Sequence, residues 1–311
     1  MNISRSLHNT GLPPGSTCAA LGLFCGLHLG HVAVINKMLE QAGEHNLTPL
    51  VFTFDTSGGL PDSKRGMTTL LSGGMMGSLL AEMGIQELVC PVFDEFRSLE
   101  PEQFVSEILK EKLGAARVVC GFDFRFGKNA AGDLKMLREL CAAHGISVDV
   151  VPAVMVEGEP AASRRIRALV EEGDIPAANR ILGRPFAIDF EVIHGRRLGR
   201  TLDWPTINQL IAPGFTQPRF GVYATRAWVN GEPYGSVTNV GVKPTVGASA
   251  VLAETYIQDF SGDLYGERVK VEFFKFLRPE QKFPDLAALK EAISADVRQA
   301  KEIAINIAIK L

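Results

Sequence analysis

Two histidines, His28 and His31, sit three residues apart in the segment Gly22-Leu23-Phe24-Cys25-Gly26-Leu27-His28-Leu29-Gly30-His31, where an apolar strand gives way to a helix. Side chains at i and i+3 share a helix face, so both imidazoles can reach one anion. The start of a helix adds N–H groups and partial positive charge. Gly30 lets a phosphate approach the backbone closely, and Gly26 lies in the same glycine-bearing loop. A second set begins at His194: Gly195, Arg196, Arg197, Gly199, Arg200 and Thr201 make a basic loop whose glycines expose amides and whose arginines add charge, which suits a triphosphate. Thr206 and Asn208 follow, two residues apart on an extended segment. Their hydroxyl and amide oxygens project to one side and suit two oxygen ligands for a Mg²⁺–ATP complex. By itself the basic loop would pass for a surface hairpin, and a lone strand glutamate such as Glu254 for a solvated side chain.

The elements that position these groups change character near residue 183. Before it, apolar strands at Thr17–Phe24, Leu50–Phe54, Glu87–Val92, Arg117–Gly121 and Val148–Val151 alternate with helices at Gly30–His45, Pro101–Leu113 and Asp133–Ala143. Such alternation predicts a parallel sheet with helices on its faces. Its ligands bind beyond the carboxyl ends of the strands, at a switch in strand order. A helix at Arg164–Glu172 leads to a hinge at Arg180–Pro185. From Ile188 the pattern is β. Asn230-Gly231 between two apolar runs marks a hairpin, because both turn positions need φ > 0. Arg268–Phe276 alternates, and a helix from about Leu286 carries Leu289, Ile293, Val297, Ala300 and Ala304 on one face. Short strands with Gly/Pro turns predict a small closed antiparallel barrel, followed by a terminal helix that covers it.

The 311 residues fit two domains, 1–182 and 183–311. With 46% hydrophobic residues the chain has enough apolar surface for packed cores, which excludes a disordered protein. A net charge of −3 argues against a nucleic-acid or membrane-coating role. Five dispersed cysteines without a C-x-x-C pair read as reduced thiols, and no secretory signal precedes them. A cytoplasmic protein is expected, and composition leaves its oligomeric state open.

The H-L-G-H run resembles that of nucleotidyltransferases that transfer an adenylyl or cytidylyl group without a covalent intermediate. Gly121-Phe122-Asp123-Phe124-Arg125-Phe126-Gly127-Lys128, followed by Ala131-Gly132-Asp133, is similar to a stretch of the prokaryotic bifunctional riboflavin kinase/FMN adenylyltransferases, the FAD synthetases. Further on, Leu182-Gly183-Arg184-Pro185-Phe186, Pro205-Thr206-Ile207-Asn208, Asn239-Val240-Gly241-Val242-Lys243-Pro244-Thr245 and Glu254…Asp259-Phe260…Gly262-Asp263-Leu264-Tyr265-Gly266 resemble motifs of the same family. The resemblance covers essentially the whole chain. It implies a Rossmann-like nucleotidyltransferase domain followed by a flavokinase barrel, ATP as substrate, Mg²⁺ as cofactor, and FMN and FAD as products. It assigns His28 and His31 to adenylyl transfer, Gly26, Ser163 and Arg167 to ATP, and Asp123 and Phe126 to the flavin. In the barrel it assigns Gly195, Gly199, Arg200 and Thr201 to ATP, Thr206 and Asn208 to the metal and ATP, Lys243 to the flavin, and Glu254 as general base.

Four departures stand out. Cys25 replaces the aspartate of the family's G-x-F-D-G, and Asp55-Thr56-Ser57-Gly58 stands where a Pro-His-Pro-like element is usual. In the segment matching I-S-S-T-x-I-R, Ala162 and Arg164 replace a serine and the threonine, while Ser163, Ile166 and Arg167 remain. Ile207 replaces the alanine of P-T-A-N. The first three predict a weakened adenylyltransferase. The competing expectations are a kinase-only enzyme with a regulatory N-terminal domain, or a non-catalytic flavin or nucleotide binder.

Overall fold

The computed structural model describes residues 1–8, 10–55, 66–194, 204–243 and 250–308. The chain forms two compact units, one of residues 1–67 and 73–162, the other of residues 68–72 and 163–311.

The first unit is built on six parallel strands, β1 (Asn2–Ser4), β2 (Thr17–Leu21), β3 (Thr48–Phe52), β4 (Glu87–Val89), β5 (Ala115–Gly121) and β6 (Ser147–Val151), in the order β1-β4-β3-β2-β5-β6. From β2 the chain adds strands on one side, then crosses back to place β5 and β6 on the other. The switch therefore falls between β2 and β5, where ligands of such sheets bind. Four helices accompany the sheet: α1 (Leu29–Glu44), α2 (Gly73–Glu82), α3 (Pro101–Gln103), which runs on into the wider π-type turns of Phe104–Lys112, and α4 (Leu134–Ala143). Helix α1 buries Val34, Ile35 and Met38, and α4 buries Leu137 and Cys141. A short antiparallel pair, β7 (Met155–Val156) and β8 (Glu159–Pro160), ends the unit.

Burial pushes the thiols of Cys18, Cys120 and Cys141 up to about 12, so they are protonated core side chains at neutral pH. No helix among the described residues is long and apolar enough to cross a membrane.

The second unit begins with α5 (Ser163–Glu172) and α6 (Ile175–Leu182), ahead of the change in sequence texture. Asn179 of α6 explains the difference. Its Nδ2 donates to the Phe273 carbonyl at 2.9 Å, and its Oδ1 accepts from the Phe186 amide at 2.7 Å, which ties the helix to the sheet that follows. Gly183 then ends α6 in the left-handed region at φ 72. Six antiparallel strands, β9 (Phe186–Ile193), β10 (Thr206–Leu210), β11 (Gly221–Val229), β12 (Glu232–Lys243), β13 (Ala250–Ile257) and β14 (Arg268–Arg278), close into a barrel in the order β10-β13-β12-β11-β14-β9. Asn230 (φ 55) and Gly231 (φ 83) make the expected hairpin turn between β11 and β12.

The barrel interior is partly polar. Thr225 meets Ser236 and Thr238 at 2.8 Å each, and Thr238 meets Thr255 at 2.9 Å, a cross-strand hydroxyl chain over β11, β12 and β13. The Gln209 amide donates to the carbonyls of Phe190 and Val269 at 2.6 and 2.7 Å, which ties β10 to its neighbour β9 and, across the barrel, to β14. The terminal helix α7 (Leu286–Ala308) covers β11 and β12, with Val297, Ala300 and Ile303 packed against Val222, Ala224 and Val237.

Helix α7 is also anchored by charge. Arg278 Nε and Nη2 donate to the Asp296 carboxylate at 2.8–3.2 Å, and Asp296 is only 6% exposed. Removing the cation leaves a buried charge unmatched. Arg278→Ala should cost about 3 kcal/mol, whereas Arg278→Met with Asp296→Leu should cost clearly less. Urea unfolding of the two variants checks this, and equal losses would contradict it.

Candidate active sites

At the sheet switch, β2 ends at Leu21 and the chain turns through Phe24 (φ 44) and Leu27 (φ 42), two non-glycine residues in the left-handed region. Such strain is kept where the surroundings over-determine it. The turn delivers His28 as the N-cap of α1: its Nδ1 accepts from the amides of Gly30 and His31 at 3.2 and 3.4 Å. The residue thus does more than share a helix face with His31. With Nδ1 occupied as an acceptor, a neutral His28 carries its proton on Nε2. The two imidazoles stack, centroids 3.7 Å apart, and Phe24 meets His31 edge-on at 5.3 Å. Gly30 leaves room for this capping, since a Cβ there would lie 3.1 Å from His28 Cε1. Gly26 lies in the same loop. Cys25, 7% exposed, is a buried member of it.

The loop after β5 leaves the other side of the switch. An open cleft of about 320 Å³ is lined by Phe122, Asp123, Phe124, Arg125, Asp133, Leu134 and Lys135. Asp123 is therefore on the cleft, whereas Phe126 supports it from the core. Phe126 is 5% exposed, packs on Phe104 at 5.5 Å, and bonds through its backbone in both directions with Gly132. A Cβ on Gly132 would come within 2.5 Å of the Phe126 ring, which accounts for the glycine of the Ala131-Gly132-Asp133 run. Asp133 caps α4 by accepting from the Met136 amide at 2.9 Å, and that bond holds its carboxyl below the ordinary range. Phe122, the motif neighbour of Asp123, is 49% exposed at the cleft.

In the second unit, Ser163 opens α5 and Arg167 donates from Nε to the Thr68 carbonyl at 3.1 Å. Residues 68–72 are stitched to the same unit, with Thr68 and Thr216 hydroxyls 2.7 Å apart and the Thr69 amide donating to Gly214 at 2.8 Å.

On the barrel, register sets a row. Asn208 of β10 lies opposite Glu254 of β13, and Glu254 lies opposite Asn239 of β12. Their neighbours Gln209, Ala253, Thr255, Thr238 and Val240 are fully buried, so strand alternation turns the row to the outer face. Thr206, two residues before Asn208, shares that face. Asn208, 7% exposed, makes a long 3.5 Å contact from Nδ2 back to the Thr206 carbonyl. Lys243 ends β12 opposite Ala250 in register. Gly195, Gly199, Arg200 and Thr201, together with Thr56–Gly58, Pro244 and Thr245, lie outside the described residues. At the base of the basic loop, His194 packs on Tyr265 with ring centroids 3.9 Å apart. Asn239, though inside a motif, was not singled out from sequence; only the strand register reveals it as a neighbour of Glu254.

A parallel α/β unit with a histidine pair at its switch point, joined to a closed barrel bearing an amide–carboxylate row, defines a two-unit nucleotide-using transferase. Residues 13–165 match the family model of FAD synthetase, and residues 182–304 that of riboflavin kinase. Bifunctional riboflavin kinase/FMN adenylyltransferases of Pseudomonas fluorescens and Escherichia coli K12 are 33% and 32% identical, covering 98% and 97% of both chains in each pair. That of Bacillus subtilis is 34% identical over 90% of each. The crystal structure of a Streptococcus pneumoniae protein named as a macrolide-efflux protein matches with a TM-score of 0.85 at 26% identity, covering 96% of this chain and 98% of that one. The chain belongs to the bifunctional riboflavin kinase/FMN adenylyltransferase family.

Proposed function

We propose that the protein makes flavin cofactors, with the barrel unit phosphorylating riboflavin to FMN and the parallel-sheet unit adenylylating FMN to FAD. The observation that carries the kinase half is the outward row of Asn208, Glu254 and Asn239 beside Thr206. In this reading Glu254 accepts the proton of the riboflavin 5′-hydroxyl as that oxygen bonds to the γ-phosphorus of ATP. The bond from that phosphorus to the bridging oxygen breaks, and ADP leaves. Phosphoryl transfer depends mainly on position and charge stabilisation, and a positioned carboxylate supplies the base.

Among the described residues no group of three or more His, Cys, Asp or Glu side chains could hold a metal. A hydroxyl and an amide oxygen on one strand face fit Mg²⁺ that arrives with ATP and keeps phosphate and water ligands. Thr206 and Asn208 would hold it, and it would neutralise phosphate charge. Gly195, Gly199, Arg200 and Thr201 are proposed for the triphosphate, and Lys243 for the flavin.

For adenylyl transfer, a phosphate oxygen of FMN attacks the α-phosphorus of ATP and pyrophosphate leaves. His28 and His31 are proposed to donate to the phosphates, with Gly26 as a further ATP contact. Asp123 is proposed for the flavin, with Phe126 holding that loop in place. The cytoplasm, where ATP is supplied and thiols remain reduced, suits these reactions.

Incubation with riboflavin, ATP and Mg²⁺, with flavins separated by chromatography, tests the proposal. FMN must form; its absence would overturn the kinase reading. Asn208→Ala should raise the KM for Mg²⁺–ATP about tenfold, the effect of losing one contact to a charged group. It should leave FAD synthesis from supplied FMN unchanged. An equal fall in both activities, with the fold intact, would refute separate sites.

A further inference from the structure

The outer face of the barrel carries a seated carboxylate that the reading above does not use. Glu280, just beyond β14, accepts from Asn239 Nδ2 at 3.1 Å through Oε1. It lies over Gly241, where a Cβ would stand 2.2 Å from that oxygen and 2.7 Å from the carboxyl carbon. The glycine therefore leaves the seat that the carboxylate fills. The segment is fixed at its root: Arg278, held by Asp296, also donates from Nη1 to the Pro279 carbonyl at 3.3 Å and lies over the Phe283 ring at 5.5 Å. An ordinary exposed glutamate wanders among rotamers. This one is exposed too, but its observed position is marked by the Asn239 bond and by the room over Gly241.

That place is set relative to Glu254. Asn239 stands opposite Glu254, and Gly241 stands two residues further along the same strand, opposite Leu252. Diagonal neighbours on one sheet face are roughly 7–8 Å apart. A short polyol can bridge two carboxylates at that spacing, one at its end and one along its length. A fixed anion is a strong acceptor for hydroxyls and repels phosphate. The flavin side chain is thereby favoured on the Glu280 side of Glu254, and the triphosphate on the Asn208 side.

We propose that Glu280 is a specificity-determining residue of the kinase site, accepting hydrogen bonds from the secondary hydroxyls of the ribityl chain so that the terminal hydroxyl meets Glu254. The proposal rests on the riboflavin kinase reading. Its test compares riboflavin with a flavin bearing an ω-hydroxypentyl chain, which keeps the terminal hydroxyl and lacks the others. With riboflavin, Glu280→Ala should lower kcat/KM about 10–100-fold, the size of a lost hydrogen bond to a charged group, and Glu280→Gln less. The KM for ATP should not change. With the analogue, wild type and Glu280→Ala should agree within about twofold, and quenching of flavin fluorescence gives the same comparison for binding if turnover of the analogue is slow. Gly241→Ala, which displaces the carboxylate, should reproduce the Glu280→Ala pattern.

Equal losses on both flavins would show that Glu280 merely braces Asn239, and no loss on either would show that it does nothing. Both results overturn the proposal. If wild type forms no FMN at all, the kinase reading falls first and this inference with it.

Discussion

Glu254→Gln should lower kcat for riboflavin phosphorylation by roughly 10²–10⁴-fold, the usual contribution of a positioned general base. The amide keeps the size of the side chain and its place opposite Asn208 and Asn239. It cannot take the proton of the attacking hydroxyl. Because ground-state contacts are retained, the KM values for riboflavin and ATP should stay within about threefold, the pattern of an interaction made only in the transition state. Initial rates of FMN formation, with ATP affinity measured separately, decide the matter. Formation of FMN by the Gln variant at the wild-type rate would remove Glu254 from the role of base. Destabilisation is not a competing explanation, since Glu254 is half-buried on the outer face rather than part of the interior hydroxyl chain.

How much of this was legible in the sequence depends on which force fixes each element. The Asn230-Gly231 turn was readable because its constraint is local: two left-handed positions in succession select those residue types. The parallel sheet was readable because strands buried on both faces, such as β2, are continuously apolar. Strand β1 was not, being three residues that are mostly exposed and paired with β4. Helix α2 was hidden by the glycines of Gly73-Gly74-Met75-Met76-Gly77, whose low helix propensity argues against a helix there.

The sites divide along the same line. His28 and His31 were visible as a pair, but capping by His28 is a matter of backbone geometry that spacing alone does not contain. Gln209 looks like a polar break in an apolar strand until its two carbonyl partners are seen across the barrel. Asn239 and Glu280 are 41 residues apart in sequence and meet only because the barrel closes and α7 fixes the segment after β14. Local chemistry can be read from a sequence. Chemistry assembled by distant contacts cannot.

The adenylyl-transfer half gives the second large expected effect. FAD formation from FMN, ATP and Mg²⁺ should be slow, with FMN accumulating as the main product when riboflavin is the starting flavin. Cys25, Ala162 and Arg164 replace an aspartate, a serine and a threonine in segments that the family uses around the triphosphate. A hydrogen bond to a charged group contributes about 1.5–3 kcal/mol, so losing two costs about 3–6 kcal/mol. That corresponds to very roughly 10²–10⁴ in rate. Arg164 offsets part of this if its guanidinium takes over a phosphate contact.

His28 and His31 are retained and stacked at the start of α1, and in the proposed site their phosphate contacts are common to ground and transition states. Uniform binding of that kind lowers KM without raising kcat. Restoring the family residues with Cys25→Asp, Ala162→Ser and Arg164→Thr should therefore raise kcat for FAD formation at least tenfold, or about 1.4 kcal/mol, with little change in the KM for ATP. His28→Ala in the restored background should abolish the gain, because it removes both a phosphate donor and the cap that holds the α1 start in shape. If the unaltered protein already makes FAD as fast as it makes FMN, the three replacements carry no catalytic cost, and both halves of the chain work at full strength.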